Sequence, residues 1–563
     1  MPDVLDELRA LWDRNWPADV PRQPHYPFGD IALSDYLREW ARRQPDVPAF
    51  IFYGTCISYV ELDRLSDRFA ALLVRHGAKP GDRIGVFLPN CPQFAIAFFG
   101  ILKAGCVHVP VNPMFKEHEL LYELQDTGAE IILVQDQLAP LVATVRDRSK
   151  LRVVLVTSVA EMIPEQPEFD VPVSVRGRAP MPQDVIDLMP ALRAMGSGAC
   201  MGPADPDALA ALNYTSGTTG MPKGCEHTQR DMTYVAATGN TCLCHLAPGD
   251  VCLNFAPVFW IAGEDTGLII PIFAGATCVL MARWDAIGFM QAVQRYRVSQ
   301  AWMLVDSVDE VLNHPDVGRY DLRSLRNASA SSLVKKMSIE YRDRWRALTG
   351  GTLIEPTFGM TETQTFDTFT TGLQNDDFDL KARPIFVGLP MPGTEILVRD
   401  FATGVPLPIN EEGEITVRSP SVTKGYWGKP EVTAESFVDG WLRTGDIGLF
   451  DEQGFLHYLG RRKEMLKVRG MSVFPSEIEV ILGKHPAIAA AAVIGVPDAE
   501  RGQIPLAALT LKPGAAVTEA ALTAWCRENM ATYKVPLVRI MEALPMTATG
   551  KVVKQRLVEM FAA

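Results

Sequence analysis

The sequence predicts an α/β protein: a large N-terminal domain of parallel-sheet α/β subdomains plus a β-rich lobe, followed by a small α+β domain at the C-terminus. Three observations predict it. A chain of 563 residues is longer than a single hydrophobic core sustains, so two or more domains are expected. From about residue 30 to residue 350, helix-period segments alternate with short apolar runs, the pattern of βα units and parallel sheets. After about Gly388 the texture changes to shorter β-like pieces with tight turns.

The N-terminus, MPDVLDELRALWDRNWP, mixes acids with apolar residues and shows no secretory signal. The βα alternation then runs through LSDRFAALLVRHGA and RIGVFLP, FAIAFFGILKAG and CVHVPV, HELLYELQDTGA and EIILVQ, and continues at Lys150–Val156 and Asp207–Leu212. Between them, Pro164–Pro203 is rich in Pro, Gly and Ala and reads as an irregular connection or surface insertion. Two long uncharged stretches, Ile84–Leu102 and Thr266–Ala282, approach the length of a membrane span, but their prolines and glycines suit buried strands and turns. In the β-rich lobe, TEILVRD, GEITVRS and GLFDEQGFLHYLG alternate, with a hairpin expected at Asp451–Gly454. SEIEVILGKHP, AAAVIGVPD, LAALTLKP and EAALTAWCRENM form the final α+β unit. The boundary is placed near Arg461–Met465, giving domains 1–461 and 462–563.

With 54 Lys+Arg against 67 Asp+Glu, the formal charge of −13 argues against a sequence-independent grip on nucleic acid or an anionic membrane. Any bound phosphate must be held locally. The ten cysteines are scattered, mostly inside apolar runs, as buried thiols of a reducing compartment are, so the cytoplasm is the expected location. Cys242, Cys244 and His245 are neighbours, but C-x-C-H lacks the paired spacing of a structural zinc site.

Local phosphate binding has an evident candidate in YTSGTTGMPKG, Tyr214–Gly224. From Thr215 to Gly224 it collects four hydroxyls (Thr215, Ser216, Thr218, Thr219), three glycines (Gly217, Gly220, Gly224) and Lys223. Glycines let backbone N–H groups converge on an anion, hydroxyls add donors, and the lysine supplies charge. The spacing is not G-x-x-x-x-G-K-[ST], because Gly224 follows the lysine, so the ordinary P-loop fold is not implied. A flexible polar turn is the competing explanation.

YTSGTTGMPKG closely resembles the signature of the adenylate-forming superfamily, which includes acyl-CoA synthetases, the adenylation domains of peptide synthetases and luciferases. The resemblance runs from about residue 30 to the end, with further motifs in the family's order: PTFGMTET (Pro356–Thr363), WLRTGDIG (Trp441–Gly448), GRRKEMLKVRG (Gly460–Gly470) and LPMTATGKVVK around Lys551. It implies that Phe358 packs on adenine with Gly359 beside it among the nucleotide-binding residues, that Thr361 contacts the α-phosphate and that Glu362 helps hold Mg2+. It implies that Asp446 accepts hydrogen bonds from the ribose hydroxyls, that Arg461 serves ribose and phosphate, and that Lys551 bridges the carboxylate and the α-phosphate. The C-terminal domain would be mobile, turning about the hinge Lys463 and presenting a surface around Gly470 to the thiol of coenzyme A. Read locally, Asp446 is a turn-capping Asx residue, Glu362 a helix cap, and the Arg461–Lys463 run a solvated basic turn.

The reaction so implied is ATP-dependent activation of a carboxylic acid, of medium or long chain or related, to an acyl-adenylate and then a CoA thioester. Alternatives are a stand-alone adenylation enzyme serving a carrier protein or an amine, a ligase for an aryl or zwitterionic (carnitine-like) acid, and a binding protein that kept the fold. Homodimers are common among such enzymes. The acid pocket is expected around Trp260, Ile261, Gly263 and Ser331, with Trp260 standing where many members carry His. Glu264 and Asp265 follow; acids at a helix N-terminus are the preferred explanation, a contact with a cationic or hydroxyl-bearing acid the other.

Overall fold

The computed structural model describes residues 4–196, 202, 204–215, 221–332, 335–355, 358–382, 385–468, 471–498, 501–547 and 551–561. Four sheets organise them. The first orders the strands Ile186–Asp187, Val153–Thr157, Ile131–Gln135, Arg83–Phe87, Val107–Pro110, Leu209–Tyr214 and Gly224–Thr228, all parallel except the last pair. The second orders Leu353–Ile354, Asn327–Ser331, Gln300–Leu304, Val251–Asn254, Thr277–Leu280, Pro48–Phe52 and Thr55–Ser58, again parallel up to a final antiparallel pair. Val/Ile-rich runs without polar alternation, such as IILVQ, are buried on both faces, as central parallel strands require. The helix Pro92–Lys103 is buried at every residue, which explains why PQFAIAFFGILK is apolar all round.

The segment expected to be an irregular connection is partly ordered into the first sheet. Ile186 and Asp187 pair in parallel with Leu155 and Val156, and the following helix Leu188–Ala194 buries Leu188 and Leu192.

The third sheet is antiparallel, in the order Thr368–Phe369, Ile385–Pro390, Leu456–Arg461, Trp441–Phe450, Gly413–Arg418, Glu395–Arg399. Its hairpin turns at Asp451–Gly454: Gly454 has φ +79°, and Asp451 Oδ1 accepts from the backbone N–H of Gln453 and Phe455. The N-terminal helix Val4–Asn15 docks there, with the Trp12 indole N–H donating to the Gly454 carbonyl at 3.0 Å. The fourth sheet, Met471–Val473, Leu466–Val468, Gly502–Leu511, Ile488–Asp498 and Leu537–Ile540, carries the helices Pro475–Leu482, Glu519–Asn529 and Lys554–Phe561 and buries apolar clusters of its own. Between the third and fourth sheets lies a single helical turn, Arg462–Glu464. Among the described residues no helix is long and apolar enough to cross a membrane.

Candidate active site

The phosphate-loop motif is framed by two antiparallel strands, Leu209–Tyr214 and Gly224–Thr228, whose register ends on the pair Tyr214 and Gly224. Its neck is closed twice: the Thr215 N–H donates to the Lys223 carbonyl at 2.9 Å, and the Lys223 N–H donates to the Thr215 hydroxyl at 3.3 Å. Ser216, Gly217, Thr218, Thr219 and Gly220, like Gly470, lie outside the described residues. The Lys223 ammonium sits 4.1 Å from the centroid of the Tyr426 ring, a cation–π contact. The same phenol donates to Glu362 Oε1 at 2.8 Å, and burial, reinforced by the Glu362 charge, pushes its pKa up so that it stays a donor. Tyr426 therefore couples the loop lysine to the carboxylate expected at the metal.

Tyr426 was not singled out from sequence, although TKGYWGK places two aromatics between glycines in the β-rich lobe. The segment runs along the strand after the loop: the Glu226 N–H donates to the Gly425 carbonyl at 3.0 Å and the Trp427 N–H to the Gly224 carbonyl at 2.9 Å.

The residues Phe358–Met360 enter the site as irregular chain, followed by a single helical turn, Thr361–Thr363. The Phe358 N–H donates to the Thr368 hydroxyl at 2.9 Å and its ring lies 6.0 Å from that of Tyr458. Gly359 is dictated by packing: a Cβ there would stand 1.5 Å from the Thr365 carbonyl oxygen. The Thr361 carbonyl accepts from His227 Nε2 at 2.8 Å, which assigns the proton of that buried imidazole to Nε2. Asp367, also absent from the sequence-derived site, is fully buried and accepts from the Thr363 hydroxyl at 2.6 Å; burial, with the charges of Glu362 and Asp446 adding, pushes it up to about 8.

Asp446 is not in a turn, as its local sequence suggested. It lies inside the ten-residue strand Trp441–Phe450, where Gly445 at φ +71° and a register shift beside Ile447 bulge the strand and bring Asp446 opposite Arg461. The Arg461 Nε is 2.8 Å from Asp446 Oδ1, an ion pair approached off the ideal hydrogen-bond direction. Asp446 is 2% exposed, and burial pushes it up to about 7 against the opposing pull of Arg461.

Lys551 reaches this site from the far end of the chain. Its ammonium is 5.6 Å from the centroid of the Trp260 ring. The lysine as a whole remains exposed, yet protein packs densely around its ammonium, and this desolvation, with the Arg461 charge, holds its pKa below the usual lysine range. Lys463, in the turn joining the third and fourth sheets, is lowered in the same way by desolvation and by Arg461 and Lys223. Lys554 binds Glu464 at 2.7 Å and Glu479 at 3.0 Å, tying the C-terminal helix to that turn.

Around Trp260 the structure gathers Trp302, whose ring is 5.9 Å away and whose indole N–H donates to the Ser331 hydroxyl at 3.1 Å. Trp260 caps the helix Ile261–Glu264; Ile261 is buried, and a Cβ on Gly263 would stand 2.1 Å from the Pro257 carbonyl oxygen. Glu264 and Asp265 differ from simple acids at a solvated helix start, because both are fully buried. Glu264 Oε2 lies 3.2 Å from His108 Nε2, and Phe94 and Phe98 pack edge-on against that imidazole. Asp265 accepts from the Gln364 amide at 3.4 Å, and burial pushes its pKa well up. Among the described residues no cluster of three or more His, Cys, Asp or Glu side chains could hold a metal ion.

Two α/β layers, an antiparallel lobe and a small C-terminal sheet, with a lysine near the chain's end lying against Trp260 of the second layer, are the architecture of adenylate-forming enzymes. The chain belongs to the AMP-binding enzyme family, whose model matches residues 37–427, and the model of the AMP-binding enzyme C-terminal domain matches residues 477–551. A long-chain-fatty-acid–CoA ligase of Bacillus subtilis is 32% identical over 97% of both chains. A 4-coumarate–CoA ligase of Nicotiana tabacum is 28% identical over 89% of this chain and 88% of its own. The crystal structure of the anthranilate CoA ligase AuaEII in complex with anthranoyl-AMP superposes with a TM-score of 0.81 at 27% identity, covering 94% of this chain and 97% of that one.

Proposed function

We propose that this enzyme is an AMP-forming acid–thiol ligase that converts a carboxylic acid, of the medium- or long-chain fatty or a related class, to its CoA thioester through an acyl-adenylate. The observation that carries the reading is the arrival of Lys551, beside Trp260, in the field of the Asp446–Arg461 pair. A carboxylate attacks the α-phosphorus of ATP, the bond to the pyrophosphate oxygen breaks, and a thiol then displaces AMP from the acyl carbon. Negative charge builds on the α-phosphoryl oxygens in the first step, and the preorganised Lys551 ammonium faces it. Lys223 faces the departing pyrophosphate, Asp446 and Arg461 hold the ribose, and Phe358 lies against the base. In the second step Lys463 is the hinge about which residues 462–563 turn, withdrawing Lys551.

Mg2+ suits the donor set: it is commonly held by one or two carboxylates plus phosphate oxygens, and Glu362 offers a carboxylate already oriented through Oε1 by Tyr426. Bound there, Mg2+ would neutralise phosphate charge.

Pyrophosphate exchange and thioester formation over a panel of fatty, aryl and zwitterionic acids, with and without CoA, test the reading. Acid-dependent exchange without CoA, and thioester only with it, are expected. Exchange that never yields a thioester would move the enzyme to carrier-protein or amine acylation.

A further inference from the structure

The helix Glu117–Thr127 takes no part in the chemistry above, yet it contacts both ends of the phosphate loop. Tyr122 donates its phenol proton to the carbonyl of Pro222, just before Lys223, at 2.8 Å. Four residues on, at the spacing that places side chains one above the other on a helix, Asp126 Oδ2 accepts from the Tyr214 phenol at 2.7 Å, just before Thr215. Asp126 also binds the third segment at the site: Oδ1 lies 2.6 Å from the Lys429 ammonium, and its backbone carbonyl accepts from the Trp427 indole N–H at 3.2 Å. The Tyr214 ring in turn closes on Gly224, where an added Cβ would stand 3.1 Å from it.

We propose that this helix is a clamp that sets the span of the phosphate loop and the place of Tyr426, with Asp126 and Tyr122 as positioning residues for ATP. The proposal deepens the reading of Lys223 as a phosphate ligand and rests on it. The connection is continuous: Asp126 fixes Trp427 and Lys429, these fix the intervening turn, and Tyr426 next to it receives the Lys223 ammonium on its ring and donates to Glu362. Charge explains why an acid can sit at the base of a site for a polyanion. An uncompensated carboxylate there would repel phosphate, but the ion pair with Lys429 cancels its charge and leaves an acceptor for Tyr214. Beside it, Glu123 is fully buried, and that burial pushes its carboxyl well above the usual range.

The test is ATP affinity measured directly by calorimetry on the whole enzyme, next to kinetics. Tyr122→Phe should weaken ATP binding by about fivefold to tenfold, the loss of one hydrogen bond to a site that must stay ordered, and Asp126→Ala, which removes both the Tyr214 hydrogen bond and the Lys429 ion pair, should weaken it by more. The KM for the acid, and thioester formation from a supplied acyl-adenylate, should hold. Asp126→Asn, which keeps an acceptor for Tyr214 and loses the ion pair, should fall between, and it remains informative if Asp126→Ala does not fold. Variants that lose thermal stability yet bind ATP as the parent does would overturn the clamp, as would a parallel loss of affinity for the acid. A parent that binds ATP but forms no thioester would sink the ligase assignment and leave the clamp to be judged by the variants' ATP affinity.

Discussion

Replacing Asp446 by Asn should stabilise the free protein and weaken its hold on ATP, two effects of opposite sign from one buried charge. In the folded chain Asp446 stands at about 7 against an ordinary carboxyl value of 3.8, raised by burial and only partly relieved by Arg461. A carboxyl raised on folding contributes stability that is complete below its unfolded pKa and is lost as pH rises through the folded value. The window is therefore about pH 4 to 7, and at about 1.4 kcal/mol per pKa unit the cost of ionising Asp446 reaches roughly 4 kcal/mol above it. Asn carries no charge to desolvate, so the variant should escape this loss and melt higher than the parent at pH 8, with the difference vanishing near pH 4. The ribose hydroxyls, by contrast, need an ionised acceptor, and a hydrogen bond to a charged group contributes about 1.5–3 kcal/mol. ATP binding should then weaken by about 10- to 100-fold in the variant, and the tightening of parental binding from pH 6 to pH 8 should flatten. Thermal melts and calorimetric titrations across pH check both halves. An Asn variant that melts no higher at pH 8, or that keeps the parental pH dependence of ATP affinity, would refute the assignment of this charge to the ribose.

Lys551→Ala should lower acid-dependent pyrophosphate exchange by about 10²–10³, the scale of a lost charge-stabilising donor, while thioester formation from a supplied acyl-adenylate is spared. Equal loss in both half-reactions would argue against the rotation about Lys463. Gly359→Ala places a methyl 1.5 Å from the Thr365 carbonyl oxygen, and overpacking of this kind costs about 1–3 kcal/mol or more. A lower apparent Tm together with a raised KM for ATP is expected, and a variant with parental values in both would show that the turn at Phe358–Thr363 yields freely.

The βα alternation was legible because period-3.6 and uninterrupted apolar segments are set by burial on whole faces, and the sheets follow that pattern from Arg83–Phe87 to Leu353–Ile354. The phosphate motif was legible because its glycines and hydroxyls are consecutive. What was not legible depends on partners distant in sequence. Asp446 between Gly445 and the following strand reads as a turn residue, because the bulge that makes it a strand residue exists only when Arg461 is opposite. Glu264 reads as a helix-start acid, because His108, its partner, comes from a strand 156 positions earlier. Beyond the glycine-flanked aromatic pair at Tyr426, neither Tyr426 nor Asp126 carries a local signal: a tyrosine beside a tryptophan and an aspartate near a helix end acquire meaning only when Lys223 and Tyr214 are brought against them.

The charges at the site also resolve a tension in the composition. A chain with a net charge of −13 must receive a polyanion at a place lined by Glu362, Asp367 and Asp446. Burial supplies part of the answer, since Asp367 at about 8 and Asp446 at about 7 spend much of neutral pH protonated while the site is free. The cations supply the rest. Lys463 is lowered first by desolvation and then by Arg461 and Lys223, and Lys551 first by desolvation and then by Arg461, with Asp446 opposing, so cations on both sides of the turn at Arg462–Glu464 are held partly desolvated and near one another. Such a set is held at an electrostatic cost that an incoming triphosphate relieves, and relief of that cost is binding energy. If the C-terminal domain turns about Lys463 as proposed, withdrawing Lys551 after pyrophosphate has left would relieve that cost again and so supply the turn with a driving force.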